Sequence, residues 1–123
     1  MNVWHYHIAT GLLYLGFADE RPTQSYSGRG KYRDEPTQTA QTNAGPIPVG
    51  IYRCLAARDH PRLGPVAIPL EPHFTNIMFG RSGFYIHGDN ASADYSASEG
   101  CIIAGRGTRS LVNSGDLVMV FPY

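Results

Sequence analysis

Two pieces of this chain decide how the rest is read: Phe84-Tyr85-Ile86-His87-Gly88-Asp89-Asn90 and, after a polar interval, Ser98-Glu99-Gly100-Cys101-Ile102-Ile103. In the first, an apolar run ends on a histidine followed by glycine. In the second, a glycine and a cysteine open another apolar run. Short apolar runs bounded by glycine and small polar residues read as buried strands. If these strands are neighbours, the loop between them folds back and brings His87 toward Cys101. That approach has chemical meaning: a free thiol titrates at about 8.5, its thiolate is the nucleophile, and an imidazole in reach activates it. On this reading Gly100 lets a substrate carbonyl approach the backbone, and the N–H groups of Gly100 and Cys101 offer an oxyanion hole. Taken singly, each residue has a plainer reading, the cysteine as a small buried hydrophobe and the histidine as a strand-end residue. Their joint placement, with glycine beside both, points to chemistry.

Outward from this pair the chain reads as mainly β. Trp4, Tyr6 and Ile8 alternate with Val3, His5 and His7, the pattern of a strand with one apolar face. Ala9-Thr10-Gly11 turns the chain, and Leu13, Leu15 and Phe17 resume the alternation, which predicts an N-terminal hairpin. Residues 18–45 are polar, without periodicity and broken by Gly28, Gly30 and Pro36. They predict a long loop with a short strand near Tyr26, and loops of that length in a compact domain are often functional. Gly45-Pro46-Ile47-Pro48-Val49-Gly50 is a rigid, extended or turning segment, because each proline fixes φ and restricts its predecessor. Further strands are expected at 51–57, 66–70, 83–87 and onward from Cys101 through Ala104. Residues 106–113 supply the one short helix, closed by Ser114-Gly115. The last strand, Leu117–Phe121, is apolar on both faces and therefore central.

Composition sets the outer bounds. A chain of 123 residues predicts one domain spanning 1–123. Its 14 glycines and 9 prolines favour turns and short strands over long helices. Ten basic residues balance ten acidic ones, so the electrostatic footprint of a nucleic-acid or anionic-membrane binder is missing. No apolar run approaches the ~20 residues of a membrane span, and no membrane insertion is expected. Met1 through His7 carries neither a basic nor an apolar signal region, so no cleavable secretory signal is expected. Two cysteines, Cys54 and Cys101, are too few for a disulfide framework, and a bond between them would silence the nucleophile. No cofactor and no metal is expected. Gly28-x-Gly30-Lys31 lacks the spacing and the Ser/Thr of a phosphate-binding loop. His5 and His7 share a strand face, but only His60 and His73 remain to complete a ligand set of about four.

The arrangement His87-Gly88 followed by Ser98-x-Gly100-Cys101-Ile102 resembles the signature of L,D-transpeptidase-type (YkuD-like) catalytic domains. Trp4-x-Tyr6, Thr10-Gly11-x-Leu13, Tyr26-Ser27-Gly28, Gly45-Pro46-Ile47-Pro48-x-Gly50-x-Tyr52 and Arg81-x-Gly83-Phe84 extend the likeness to one branch. That branch is the small L,D-transpeptidase-like effector domain of bacterial type VI secretion. The resemblance implies a single-domain β-sandwich or barrel with one short helix. It also implies a cysteine enzyme acting on peptidoglycan stem peptides, with Cys101 as nucleophile and His87 as base. Such enzymes attack the carbonyl of the diaminopimelate that precedes the terminal D-Ala. Water as acceptor makes an L,D-carboxypeptidase, a D-amino acid gives exchange, and another stem's amine gives a cross-link. Ser98, Gly100 and Gly88 are then candidates for shaping the site or its oxyanion hole.

A toxic enzyme of this kind implies synthesis in the bacterial cytoplasm, delivery to the periplasm of a target cell and a cognate immunity protein. The chain departs from the wider family in having Glu99 where histidine is common and Ile103 where an arginine stands two positions after the cysteine. The substrate carboxylate then needs another partner, and Arg106, Arg109 and Arg81 are the candidates. Two rivals remain. A papain-like or NlpC-type amidase places its cysteine before its histidine, the reverse of the order here. A non-catalytic wall-binding β-sandwich would use Trp4, Tyr6, Tyr14 and Tyr85 as a stacking platform, although aromatics at strand spacing are more often core.

Overall fold

The computed structural model of the protein describes residues 1–16 and 21–123. Phe17, expected in the N-terminal hairpin, and residues 18–20 of the expected loop lie outside the described residues. Among the described residues ten strands form: β1 (Val3–His7), β2 (Leu12–Leu15), β3 (Thr23–Gln24), β4 (Tyr26–Ser27), β5 (Gly50–Cys54), β6 (Arg58–His60), β7 (Gly64–Pro72), β8 (Tyr85–His87), β9 (Ile102–Ile103) and β10 (Leu117–Phe121). The one α-helix among the described residues is α1 (Arg106–Arg109). The strand order is β3-β2-β1-β10-β5-β7-β8-β9-β4, with β6 paired to β7 off this path. Its outermost strands, β3 and β4, are separated in the chain by Ser25 alone. The two edges are thereby tied together, and the sheet curls into a nearly closed barrel. A mainly β fold with one short helix is what the sequence pattern predicted.

The alternation read from the sequence becomes the core. Trp4, Tyr6, Leu13, Tyr52, Ile68, Ile86, Ile102, Val118 and Val120 point inward and are buried. Strand β10 is central, parallel to β1 on one side and antiparallel to β5 on the other. The seam between β1 and β10 is fixed by Asp116. Its Oδ1 accepts the Asn2 N–H (3.0 Å), and its Oδ2 accepts Trp4 Nε1–H (3.1 Å) and the Asn113 N–H (2.9 Å). On the outer face His5 and His7 stack with Tyr14 and Phe121 at ring separations of 5.2 to 5.9 Å. Among the described residues no cluster of metal-ligating side chains forms.

Several expectations need correction. The helix is four residues long, not eight; Gly105 and Gly107 are poor helix formers, and Val112 turns into the core. The strand expected at 51–57 stops at Cys54, whereas β7 runs longer than expected despite Pro65 and Pro69. Strands β3 and β6 were not legible, being two or three polar residues each. The aromatic platform does not exist as a surface: Trp4 and Tyr6 are core residues, and Tyr14 is held between the two histidines.

Candidate active site

The parallel pair β8–β9 sets Ile86 opposite Ile102 and His87 opposite Ile103. His87 therefore ends one strand while Cys101 sits at the start of its neighbour. Both line one cleft of about 590 Å³. Strand pairing thus brings both residues to the lining of one cleft, although no hydrogen bond joins thiol and imidazole among the described residues.

The histidine is nearly buried, at 3% exposure. Its Nδ1 lies 2.8 Å from the carbonyl oxygen of Gly88. A carbonyl only accepts, so Nδ1 carries the proton and Nε2 keeps its lone pair. Burial holds the imidazole below its ordinary pKa; the charges of Arg109, Arg62 and His60 push the same way, against the Gly88 carbonyl. His87 is accordingly neutral at pH 7 and able to take a proton at Nε2. Sequence reasoning left its orienting group open among a backbone carbonyl, Asp89 and Asn90. The backbone carbonyl fills that place, while Asp89 accepts from Tyr26 Oη (2.8 Å) instead.

The thiol of Cys101 is half-buried and free. Tyr85 donates its backbone N–H to Sγ at 3.3 Å, and the Gly83 carbonyl lies 4.0 Å away. Burial pushes the thiol up to about 11. The Tyr85 N–H and the charges of Arg62 and Arg81 pull it down, and Glu99 adds to the rise. At pH 7 the cleft thus holds a neutral thiol and a neutral imidazole. The second cysteine, Cys54, is buried in β5, free, and outside the cleft.

Around these two groups the predicted residues fall into two sets. Arg81 lines the cleft, but its guanidinium is turned into the protein: Nη1 donates to Thr39 O (2.5 Å) and Pro46 O (2.8 Å), Nη2 to Gly45 O (2.9 Å) and Glu99 O (3.1 Å). Arg109 donates to Ala104 O (3.0 Å), Pro65 O (2.7 Å) and Val66 O (3.1 Å) and stays outside the cleft lining. Arg106 is exposed on α1, also outside the lining. The structure thus spends two of the three expected carboxylate partners on backbone carbonyls and puts the third elsewhere.

Ser98 shapes the loop. Its Oγ accepts from Gly28 N (2.9 Å) and Gly100 N (3.1 Å) and donates to Cys101 O (2.6 Å). The Gly100 N–H is therefore taken, and of the two amides expected as oxyanion donors only that of Cys101 is free of protein partners among the described residues. Gly100 has φ +136°, and a Cβ there would overlap the Arg81 guanidinium and the Phe84 ring. That packing by itself requires a glycine at this position. A Cβ on Gly88 would likewise stand 2.8 Å from Arg109 Nη2.

Sequence reasoning missed two participants. One is the Tyr85 N–H, which points away from β7 at the position where Tyr85 pairs with Pro69 and goes to the thiol. The other is Arg62, at the tip of the β6–β7 hairpin and in the cleft lining. Pro61 and Gly64 around it were a readable turn signal.

The family model of the Tlde1 domain matches residues 21–114. The chain belongs to the Tlde1 domain family. Its motif resemblance to the small L,D-transpeptidase-like effector branch is borne out. Among solved structures, this Tlde1 domain is similar to L,D-transpeptidase 3 from Mycobacterium tuberculosis in complex with a faropenem-derived adduct (17% identity, TM-score 0.61, covering 98% of this chain and 60% of that one). It is similar also to an L,D-transpeptidase from Stackebrandtia nassauensis (14%, TM-score 0.64, 98% and 55%). A further L,D-transpeptidase from Mycobacterium tuberculosis H37Rv matches at 20% identity and TM-score 0.60, over 97% of this chain and 57% of that one. The Tlde1 domain therefore has the L,D-transpeptidase fold and spans about three-fifths of the length of the first of these structures. No curated protein matches it.

Proposed function

We propose that this domain is a cysteine-dependent enzyme that cleaves or exchanges the terminal D-Ala of peptidoglycan stem tetrapeptides, working as an L,D-carboxypeptidase or exchange transpeptidase. The observation that carries the reading is the shared cleft of Cys101 and His87, with Nδ1 tied to Gly88 O and Nε2 left as the ring's proton acceptor. In the first step the thiol proton passes to Nε2 while Sγ bonds to the carbonyl carbon of the diaminopimelate residue. The Cys101 N–H faces the oxyanion that forms. Collapse breaks the C–N bond, Nε2–H gives its proton to the leaving amine, and D-Ala departs from a thioester. Water or the amine of a D-amino acid then attacks the thioester, again with His87 taking the proton, and Sγ leaves.

The resting neutral pair suits this sequence, since the base and the thiol start in the protonation states that the first step consumes. The low imidazole pKa sets the acid limb of activity below the ordinary histidine range of about 6.5, because His87 must be neutral to act. Membership of the effector family supports a wider setting: delivery to the periplasm of a target cell and neutralisation at home by a cognate immunity protein. Digestion of tetrapeptide-bearing muropeptides, with products weighed by mass spectrometry, tests the reaction. Loss of one alanine is expected from the wild type and from neither Cys101→Ser nor His87→Ala. Binding without turnover by the wild type would replace the enzyme by a wall-binding module.

A further inference from the structure

The cleft must hold a substrate that ends in a carboxylate, and its charged walls are unequal. Arg81 has its guanidinium donors directed at four backbone carbonyls. Asp89 and Glu99 carry the wrong sign. Arg62 is the remaining guanidinium in the lining, and among the described residues its side chain enters no hydrogen bond or ion pair.

Its mounting is firm although its head is exposed. The Pro61-Arg62-Leu63 turn is closed by His60, whose Nδ1 accepts the N–H groups of Arg62 and Leu63, both at 3.1 Å. The His60 ring packs edge-on against Tyr85 at 5.4 Å, and Tyr85 is the residue whose N–H meets the thiol. Next to the turn in the same hairpin, Pro65 and Val66 are held through their carbonyls by Arg109, which also grips Ala104 just beyond β9. The arm that carries Arg62 is thus fixed to both strands of the site. Its charge reaches them, pulling the Cys101 thiol down and holding the His87 imidazole down.

We infer that Arg62 is the carboxylate-binding residue of the cleft, taking the terminal carboxylate of the stem peptide in its guanidinium fork. The inference rests on the proposed reaction and names its recognition element. In a stem tetrapeptide that carboxylate belongs to the residue directly after the attacked carbonyl, so a free cation in the same cleft as the thiol is where it is needed. A guanidinium binds a carboxylate through two parallel N–H bonds, which an ammonium does not reproduce. In exchange, the incoming D-amino acid brings a carboxylate at the same distance from its amine, and the same residue positions it.

The test compares a tetrapeptide with its C-terminal amide. Calorimetric binding to Cys101→Ala, alone and combined with Arg62→Gln, Arg62→Lys or Arg53→Gln, separates recognition from turnover. In the Cys101→Ala parent the free acid is expected to bind about 10- to 100-fold tighter than the amide, the range of a charge-assisted pair. Arg62→Gln brings the acid down to the level of the amide, Arg62→Lys recovers only part, and Arg53→Gln changes neither. An acid-to-amide ratio that survives Arg62→Gln overturns the inference. Turnover by the wild-type protein is followed in parallel. If carboxylate-dependent binding through Arg62 is found but no alanine is released, the reaction fails and the binding residue stands. If alanine is released and the ratio ignores Arg62, the inference alone fails. Binding of neither peptide overturns both.

Discussion

The two sides of the barrel are built by different means. On the β2–β1–β10–β5 side, strands of four or five residues pair over most of their length, and β1 and β10 alternate buried with half-buried positions. On the β8–β9–β4 side the strands are two or three residues long. There, side chains reaching into the backbone replace ladders: Arg81 holds four carbonyls, Arg109 three, and Ser98 closes the turn before Cys101. Ser27 Oγ adds two more bonds, accepting from Ile47 N (2.9 Å) and donating to Gly100 O (2.8 Å). A ladder shares its stability over many equivalent bonds. A buried clip concentrates it, because removing one donor strands several acceptors at about 1–3 kcal/mol for a buried unsatisfied group. The first side is tolerant of single losses and the second is not.

Arg81→Met is the severest test of that contrast. The substitution keeps an apolar stem for the Phe84 ring, which the guanidinium carbon now faces at 5.1 Å, but leaves the carbonyls of Thr39, Gly45, Pro46 and Glu99 without their donor. A loss of about 3 kcal/mol or more is expected in urea unfolding, since several buried acceptors lose their partner together. Alanine release should fall with it, because the same guanidinium joins the Gly45-Pro46 segment to the loop leading into Cys101. A cost below about 1 kcal/mol, the worth of one ordinary hydrogen bond, would show that the clip is decorative and the two sides alike.

This division also explains what was legible in the sequence. Trp4, Tyr6, Leu13, Val118 and Val120 declared the first side, because a ladder with one buried face writes itself as alternation. His87 and Cys101 were readable because apolar runs flank them and glycines adjoin them. The roles of Arg81 and Arg109 were not, because a long side chain donating mostly to carbonyls more than thirty residues away leaves no periodic trace. An arginine near a site then looks like a ligand for substrate. For the same reason Arg62, in a short polar turn with nothing periodic near it, carries no sequence signal of a role. Gly100 was noticed for its backbone freedom, while the packing of Arg81 and Phe84 that also requires a glycine there left no mark in the sequence.

The two cysteines allow the sides to be compared in one sample. Cys54 lies on the laddered side, wholly buried and pushed up to about 12 by burial and by Asp116. Cys101 lies on the clipped side, half-exposed to the cleft and pushed up to about 11. Alkylation by iodoacetamide should find Cys101 in native protein, with a rate that climbs across pH 7 to 11. At pH 7 the rate should be about 300-fold below that of free cysteine, following the smaller thiolate fraction. Cys54 should label only as fast as the barrel unfolds. Labelling of Cys101 at pH 7 as fast as free cysteine would mean a thiolate–imidazolium pair formed before substrate, and the first proton transfer to Nε2 would drop out of the mechanism.

The smallest expected effect sits at the seam of the laddered side. Burial pushes the Asp116 carboxyl up, but hydrogen bonds from Asn113, Asn2 and Trp4 outweigh it and leave the pKa below the ordinary carboxylate value. A carboxyl depressed in the folded state stabilises the fold fully above its unfolded pKa of about 3.9 and loses that contribution as pH falls through the folded value. Asp116→Asn keeps one acceptor oxygen and turns an amide N–H₂ toward the remaining donors, at a cost of about 2 kcal/mol. The variant's deficit should therefore be largest at neutral pH and shrink below about pH 4, where the wild-type carboxyl takes up its proton. Because these bonds belong to the β1–β10 seam, alanine release per folded molecule should not change. A variant that loses turnover in proportion to stability would show that the ladder side, too, sets the geometry between Cys101 and His87.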